Sequence, residues 1–270
     1  MKRFKNILFF ADGTDDVTPA LKRAAQLAES NKARLTLVDV FEPVETPSEV
    51  ISQFGIELNE LLKKHRKEDL EKLTKLIEHD DNLIYTKVLI GLPFLEVIKF
   101  VQKGGYDLLI KMARPPAGVS EKIFGSVDLH LFRKCPCPVL IDRPSTGENF
   151  RRILAAVDTD SSPAQGCDKL IMQLATSLSE RENAQLDIVH AWHLPGESML
   201  TSGRSYLPPG ELQALLKRKE DKQQAKLEAL LQPYGIAIDD ENVHLVKGQP
   251  AESINRIAKW NDSDIIVMGT

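Results

Sequence analysis

The chain has 270 residues, 42% of them hydrophobic and 27% charged, which is typical of a soluble globular protein with room for two ordinary domains. Its net charge of −4 argues against an extended nucleic-acid surface, and its apolar runs are far shorter than the roughly 20 residues of a membrane-spanning helix. The 3 cysteines do not make a disulfide framework, and the apolar stretch near the N-terminus is shorter than the core of a signal peptide. These properties predict a cytoplasmic protein with neither nucleic-acid nor membrane partners.

The first half of the chain predicts alternating strands and helices. Short apolar runs predict strands at Ile7–Ala11, at Leu35–Val40, in the run that ends at Gly91, at Asp107–Met112 and in "CPVLID" (137–142). Helices are predicted from Thr18-Pro19, along the leucine pattern between Leu58 and Ile77, from Pro93 and after Gly125-Ser126. The Thr18 hydroxyl is predicted to cap the first helix. Such an alternation implies an open parallel sheet with helices on both faces.

The second half of the chain repeats the first. The stretch "ILFFAD" (7–12) returns as "ILAAVD" (153–158), "ARLTLVDVFEP" (33–43) as "AQLDIVHAWHLP" (184–195), and "VLIGLP" (88–93) as "LVKGQP" (245–250). Blocks that recur in the same order indicate a duplicated domain, so domain 1 is predicted at residues 1–146 and domain 2 at residues 147–270. Ser162 is predicted to cap the helix that matches the one at Thr18. Because the second copy ends after its fourth strand, we expect either a longer natural chain or association through the open sheet edge.

These repeated blocks, together with "GSVDLHLFRKCPCPVLI" (125–141), resemble the universal stress protein family in its tandem-domain, E-type form, over essentially the whole chain. The resemblance implies two tandem Rossmann-like α/β domains, each an open, mostly parallel five-stranded sheet with flanking helices, of which the second lacks its last strand here. It also implies an internal pseudo-dimer of the two domains and leaves a homodimer open. Nucleotide-binding members hold ATP with an aspartate after the first strand, backbone groups at the end of the second, and a Gly-x2-Gly-x9-Gly-Ser/Thr loop after the fourth.

Carried onto domain 1, this pattern implies a degenerate nucleotide loop. The positions that match the pattern are Asp12, Val40, Gly125 and Ser126. Met112 and Pro115, however, stand where the two earlier glycines would be. Glycines let backbone N–H groups approach phosphate oxygens, whereas a bulky side chain blocks the approach and proline has no N–H to donate. Domain 1 is therefore not expected to bind ATP.

Domain 2 keeps more of the pattern. Asp158 matches the aspartate after the first strand, Ala191 lies at the end of the second, and Met268-Gly269 supplies the first glycine of the loop. Of the two domains, domain 2 is therefore the one for which the resemblance implies an adenine nucleotide such as ATP. The simpler interpretation of Asp158, and of Asp12 in domain 1, is a polar cap on the turn after each first strand.

The resemblance implies a non-catalytic binding or sensor module of the stress response, linked to survival of DNA-damaging and starvation stress. The sequence contains no nucleophile–base pair in a plausible context and no nucleotidyl-transferase signature. Two alternatives stay open. One is a crevice for an apolar small molecule, lined by Val40, Met112 and Phe124, and the other is a weak ATPase or nucleotidyl transferase on the same fold.

Two further pairs of residues are interpreted as structural. Cys135 and Cys137 are separated by one proline and lack the spacing of a zinc or thioredoxin motif, so they are interpreted as inert thiols. His190 and His193 have no cluster of further ligands near them in the sequence and are interpreted as core or rim histidines.

Overall fold

The computed structural model describes residues 4–13, 17–77, 83–113, 125–143, 149–160, 167–201 and 208–269. The chain divides into two compact units, residues 1–148 (unit 1) and 149–270 (unit 2). The predicted join at residues 146 and 147 lies outside the described residues. Within the described ranges, no helix is both long and apolar enough to cross a bilayer.

Unit 1 contains a five-stranded parallel sheet, as predicted. Its strands are β1 (Asn6–Phe10), β2 (Arg34–Phe41), β3 (Ile84–Ile90), β4 (Leu108–Met112) and β5 (Val139–Asp142). Its helices are α1 (Thr18–Asn31), α2 (Ser48–Phe54), α3 (Leu58–Thr74), α4 (Pro93–Gly104) and α5 (Ser126–Lys134). The strands lie in the order β3-β2-β1-β4-β5. The order therefore reverses between β1 and β4, and ligands of such sheets bind at this switch point, beyond the carboxyl ends of the strands.

Unit 2 repeats the arrangement with four described strands in the order β8-β7-β6-β9. They are β6 (Arg152–Val157), β7 (Gln185–Trp192), β8 (Val243–Lys247) and β9 (Ile265–Met268). Its helices are α6 (Cys167–Glu182), α7 (Glu197–Thr201), α8 (Pro209–Leu231) and α9 (Pro250–Trp260). Corresponding strands pair in the same register, since Phe10 lies opposite Lys111 and Ala156 lies opposite Met268. The predicted tandem Rossmann-like fold is confirmed.

The two units fill the space between the sheet and its first helix in opposite ways. In unit 1, Phe9 of β1 is fully buried in the same core cluster as Ala20 and Ala24 of α1. In unit 2 the matching strand residue is an alanine at position 155, and the bulk comes instead from Ile171 and Met172 of α6. Cores tolerate such exchanges because they need a filled volume and an apolar pattern more than particular side chains.

The first helix does not begin as predicted. Thr18 is the first residue of α1 and not its cap, and Val17 precedes it without a side-chain hydrogen bond to the helix. Pro19 lies in the first turn as expected, where its missing N–H costs no helical hydrogen bond. The corresponding prediction for Ser162 lies outside the described residues.

Candidate functional site

The switch point of unit 1 contains a buried ammonium group. Lys111 of β4 is 1% exposed, and its Nζ lies 2.8 Å from Oδ2 of Asp12 and 3.0 Å from Oδ1 of Asp128. The same Nζ donates a hydrogen bond to the carbonyl oxygen of Met112 at 2.9 Å. Asp12 follows β1 in a left-handed backbone conformation, with φ 52°, and Asp128 lies in the first turn of α5. The ammonium therefore joins the segment after β1 to the start of α5, across the point where the strand order reverses.

A second ion pair lies between β2 and α3. Arg66 donates from Nη1 to Oδ2 of Asp39 at 3.1 Å, and the Asp39 side chain is buried. Burial raises the pKa of the Asp39 carboxyl above its ordinary value, and the Arg66 guanidinium opposes part of the rise. The other Asp39 oxygen accepts the backbone N–H of Val40 at 2.8 Å. At Gly13, where φ is 56°, a Cβ atom would collide with the Arg66 guanidinium, so the ion pair needs a glycine there.

The other residues predicted for the degenerate loop of domain 1 serve the core and the helix start. Met112 is 2% exposed and belongs to the core cluster of unit 1. Gly125 precedes α5 and donates its N–H to Oδ2 of Asp128 at 3.3 Å, and Ser126 is the first helical residue. Pro115 lies outside the described residues. The described part of this loop therefore forms the N-terminal end of α5. The carboxylate of Asp128 that accepts the Gly125 N–H also contacts the ammonium of Lys111.

Sequence reasoning missed the role of Lys111, although a signal was present. The fourth strand reads "LLIKM" (108–112), and a lysine within an apolar strand is rarely fully buried unless it is paired. Across the two ion-paired groups, the carboxylates of Asp12, Asp39 and Asp128 outnumber the cations of Lys111 and Arg66. The cluster therefore carries an excess of negative charge, which opposes the entry of an anion.

In unit 2 the aspartate after the first strand is exposed. The backbone N–H of Asp158 donates to Oδ1 of Asp168 in α6 at 2.8 Å. Oδ1 of Asp158 accepts the N–H of Asp160 at 3.1 Å. The Asp158 side chain thus caps the turn after β6 by accepting a hydrogen bond from a backbone N–H, whereas its counterpart Asp12 contacts a buried lysine.

The remaining residues predicted for domain 2 lie at the carboxyl ends of the strands. The strand register places Met268 at the position of Lys111, so an uncharged side chain that is 53% exposed replaces the buried ammonium. Gly269 follows it, and a Cβ atom there would lie 2.7 Å from Sγ of Cys167. Ala191 is in β7 and is partly buried. The structure therefore brings these residues to one edge of the sheet in unit 2, together with Asp158.

A buried polar network takes the place of the Asp39 ion pair in unit 2. His190, which matches Asp39 in the repeat, is 1% exposed, so it is a core histidine. Its Nε2 lies 3.1 Å from Oε1 of Gln223 in α8, and the Thr159 hydroxyl lies 3.2 Å from both groups. The Gln223 amide in turn donates to Oδ2 of Asp160 at 2.7 Å. Both units therefore tie the second strand to the long helix through buried polar groups, but with different chemistry.

A cavity of about 470 Å³ lies beyond the ends of β7 and β8, to one side of the switch point. His193 is one of its lining residues. Lys247 and Glu197, which also line it, form an ion pair at 2.6 Å. In the part of the chain that the structure describes, no group of three or more histidine, cysteine, aspartate or glutamate residues is placed to hold a metal ion.

Replacing Asp39 with asparagine is expected to change how the stability of unit 1 depends on pH. Because folding raises the pKa of this carboxyl, the wild-type chain loses stability as the pH rises from about 4 through the raised pKa. Asparagine releases no proton, so the Asp39→Asn variant should gain stability relative to the wild-type chain over the same range. Urea unfolding followed by far-UV circular dichroism, at several pH values between about 3.5 and 7, measures this difference.

The control is Asp69→Asn at an exposed position of α3. A hydrogen bond from Lys72 lowers the pKa of the Asp69 carboxyl, so this variant should lose stability relative to the wild-type chain as the pH rises, and only slightly. The prediction would be contradicted if Asp39→Asn also lost stability relative to the wild-type chain as the pH rose.

The sequence profile of the Universal stress protein family matches residues 3–143 and again residues 149–270. The chain is 27% identical to the Universal stress protein E homolog of Haemophilus influenzae over 276 residues, which cover 99% of this chain and 88% of that protein. It is 26% identical to Universal stress protein E of Escherichia coli K12 over 287 residues, which cover 100% of this chain and 85% of that protein. Both relatives therefore match it along both units.

The fold is shared with solved structures over the same length. A putative universal stress protein of Pseudomonas aeruginosa UCBPP-PA14 superposes with a TM-score of 0.69 at 22% identity, covering 100% of this chain and 83% of that one. A universal stress protein of Archaeoglobus fulgidus superposes with a TM-score of 0.58 at 16% identity, covering 98% of this chain and 86% of that one. Because the family profile matches both units in turn, the protein belongs to the universal stress protein family as a tandem-domain member.

Proposed function

We propose that this chain is a non-catalytic binding or sensor module of the cytoplasmic stress response, in which unit 2, and not unit 1, takes an adenine nucleotide. The observation that carries this asymmetry is the Lys111 ammonium, held within 3.0 Å of carboxylate oxygens of Asp12 and Asp128. Family membership supports the stress-response role, and the family resemblance supports the link to DNA-damaging and starvation stress. The pairing of the two domains into an internal pseudo-dimer belongs to the same proposal.

In unit 1 a nucleotide phosphate would compete with carboxylates that are already in place. At the switch point, Lys111 is 1% exposed and is bound to Asp12, Asp128 and the Met112 carbonyl. Drawing the ammonium towards a phosphate would leave two carboxylates without their counter-charge, and breaking a buried ion pair costs about 3–5 kcal/mol. A phosphate would also meet the negative excess of the whole cluster, so unit 1 is proposed to be structural.

In unit 2 these obstacles are absent at the corresponding positions. Met268 replaces the lysine, so no ammonium lies between the strand ends at this point. Gly269 replaces the buried Met112 and lacks the side chain that would keep a phosphate away from the backbone. Asp158 is exposed after β6, where the resemblance to nucleotide-binding members implies a contact with the nucleotide.

Isothermal titration of ATP with Mg²⁺ into the full chain tests the proposal. We expect one site per chain. The Asp158→Asn variant should bind at least ~10-fold more weakly, because a charge-assisted hydrogen bond contributes about 1.5–3 kcal/mol. The matched variant Asp12→Asn should leave the affinity unchanged within about 2-fold, since Asp12 serves Lys111.

Three outcomes would contradict the proposal. Two sites per chain, or equal losses from the two variants, would show that both units bind nucleotide. The absence of binding to the wild-type chain at millimolar ATP would remove nucleotide from the function. Hydrolysis of ATP that is lost in Asp158→Asn would show that unit 2 is catalytic.

A further inference from the structure

Two thiols face each other at the turn between α5 and β5 of unit 1. The Sγ atoms of Cys135 and Cys137 lie 3.6 Å apart, within hydrogen-bonding distance for sulfur. The chain bends at Pro136 and Cys137, and both thiols are partly buried against the core. The C-x-C spacing by itself does not indicate a functional pair. The bend, which the spacing does not reveal, brings the two sulfurs together.

The two thiols differ in acidity. The hydrogen bond with Cys137 lowers the pKa of Cys135, although burial opposes the change. The same contact raises the pKa of Cys137, and burial and the charge of Asp107 add to the rise. Cys135 is therefore the thiol of the pair that loses its proton more readily, and the thiolate is the nucleophilic form of cysteine. This is the division of roles between an attacking cysteine and a resolving cysteine.

We propose that Cys135 and Cys137 are a redox-active pair that reduces a hydroperoxide and closes into a reversible disulfide. The Cys135 thiolate attacks one oxygen of the hydroperoxide, the O–O bond breaks, and the leaving oxygen takes up a proton to form water or an alcohol. The sulfur of Cys137 then attacks the sulfenic acid on Cys135, loses its proton and forms the S–S bond, while the hydroxyl group leaves as water. The two thiols supply the two electrons that reduce the hydroperoxide.

The position of the pair favours a reversible bond and links it to the rest of unit 1. Residues separated by one position have Cα atoms at most about 7 Å apart, near the upper end of the range that a disulfide spans. The ring is small, so the bond is strained and readily reduced by thiols. The pair lies between α5, whose Asp128 contacts Lys111, and β5, whose Asp142 binds Arg23 of α1 at 2.9 Å. Oxidation of the pair therefore affects both α5 and β5, and a buried ion pair links each of these elements to another element of unit 1.

The test uses the full reduced chain and a small molar excess of hydrogen peroxide. We expect the protein to lose two of its 3 thiols and the mass of two hydrogen atoms, without forming cross-linked chains. Trypsin should release both cysteines in a single peptide, residues 135–151, with a disulfide bond between them. Cys167 of unit 2 should stay reduced and serves as the internal control. Dithiothreitol should restore both thiols. Iodoacetamide at pH 7 should modify Cys135 at least ~10-fold faster than Cys167, whose pKa burial raises.

Two conservative variants separate the roles. In Cys137→Ser, the sulfenic acid on Cys135 should persist and be captured by dimedone. In Cys135→Ser, Cys137 should react no faster than Cys167. The proposal would be overturned if the pair kept both thiols under peroxide while Cys167 was oxidised, or if Cys135 passed to sulfinic acid without an S–S bond. A pair that instead bound copper(I) or zinc and resisted peroxide would be a metal site, which also overturns it.

Discussion

Replacing Lys111 with methionine is expected to destabilise unit 1 by about 3–5 kcal/mol at pH 7. The change leaves the carboxylates of Asp12 and Asp128, the latter 1% exposed, without the ammonium that lies within 3.0 Å of each. Buried charges that lose their partner retain the cost of desolvation, and methionine has neither a positive charge nor a hydrogen-bond donor to replace the ammonium. The effect is expected although methionine is the residue that unit 2 carries at the corresponding position, Met268.

The measurement can separate the two units within one molecule. Both tryptophans of the chain, Trp192 and Trp260, lie in unit 2, so their fluorescence follows unit 2 while far-UV circular dichroism follows both units. Urea unfolding of Lys111→Met should show an early transition by circular dichroism that tryptophan fluorescence does not report.

Two controls decide whether the ion pairs are the cause. Lys72→Met removes a cation from an exposed pair with Asp69 and should change stability little. Adding Asp12→Asn and Asp128→Asn to Lys111→Met should recover most of the loss, because neutral groups need no counter-charge. A loss below about 1 kcal/mol in Lys111→Met would show that the carboxylates are solvated or compensated and would contradict the prediction.

Replacing Phe9 with alanine is expected to destabilise unit 1 by a similar amount, about 3–5 kcal/mol. Phe9 is fully buried in the same core cluster as Ala20 and Ala24 of α1, and alanine side chains are too short to fill the space that the ring leaves. In unit 2 the matching residue is Ala155, and its core cluster contains the larger Ile171 and Met172 of α6. The same residue, alanine, is therefore well packed in one unit and leaves a cavity in the other.

The matched changes test this account of the two cores. Phe54→Ala, at a ring that is 68% exposed, should alter stability by less than about 0.5 kcal/mol. The reverse change, Ala155→Phe, should overfill unit 2 and cost about 1–3 kcal/mol, now seen by tryptophan fluorescence. If Phe9→Ala cost less than about 1 kcal/mol, the core of unit 1 would be able to collapse around the missing ring.

Local patterns in the amino-acid sequence were sufficient to predict the architecture. Buried parallel strands must be short apolar runs, and turns at the strand ends need glycine or proline, so "ILFFAD" and "ILAAVD" could be assigned without coordinates. The alignment of the two halves then matched Met268 with Lys111 as equivalent positions, and the strand register in the two sheets agrees with that alignment. The family pattern also placed Asp158 and Gly269 directly after β6 and β9, at the carboxyl ends of the strands. These inferences succeeded because they depend on local periodicity and on the order of elements along the chain.

The tertiary structure alone decided what the polar residues do. Lys111 meets Asp12 because β1 and β4 are neighbours in the sheet, although about two thirds of the length of unit 1 separates them in sequence. The sequence marks each charge, but a buried charge takes its role from partners that the packing of distant elements supplies. The same holds at close range for Cys135 and Cys137, since their spacing permits many separations and the bend at the helix end sets the sulfurs 3.6 Å apart. Periodicity determines which side of an element is buried, and only the assembled layers determine which buried groups meet.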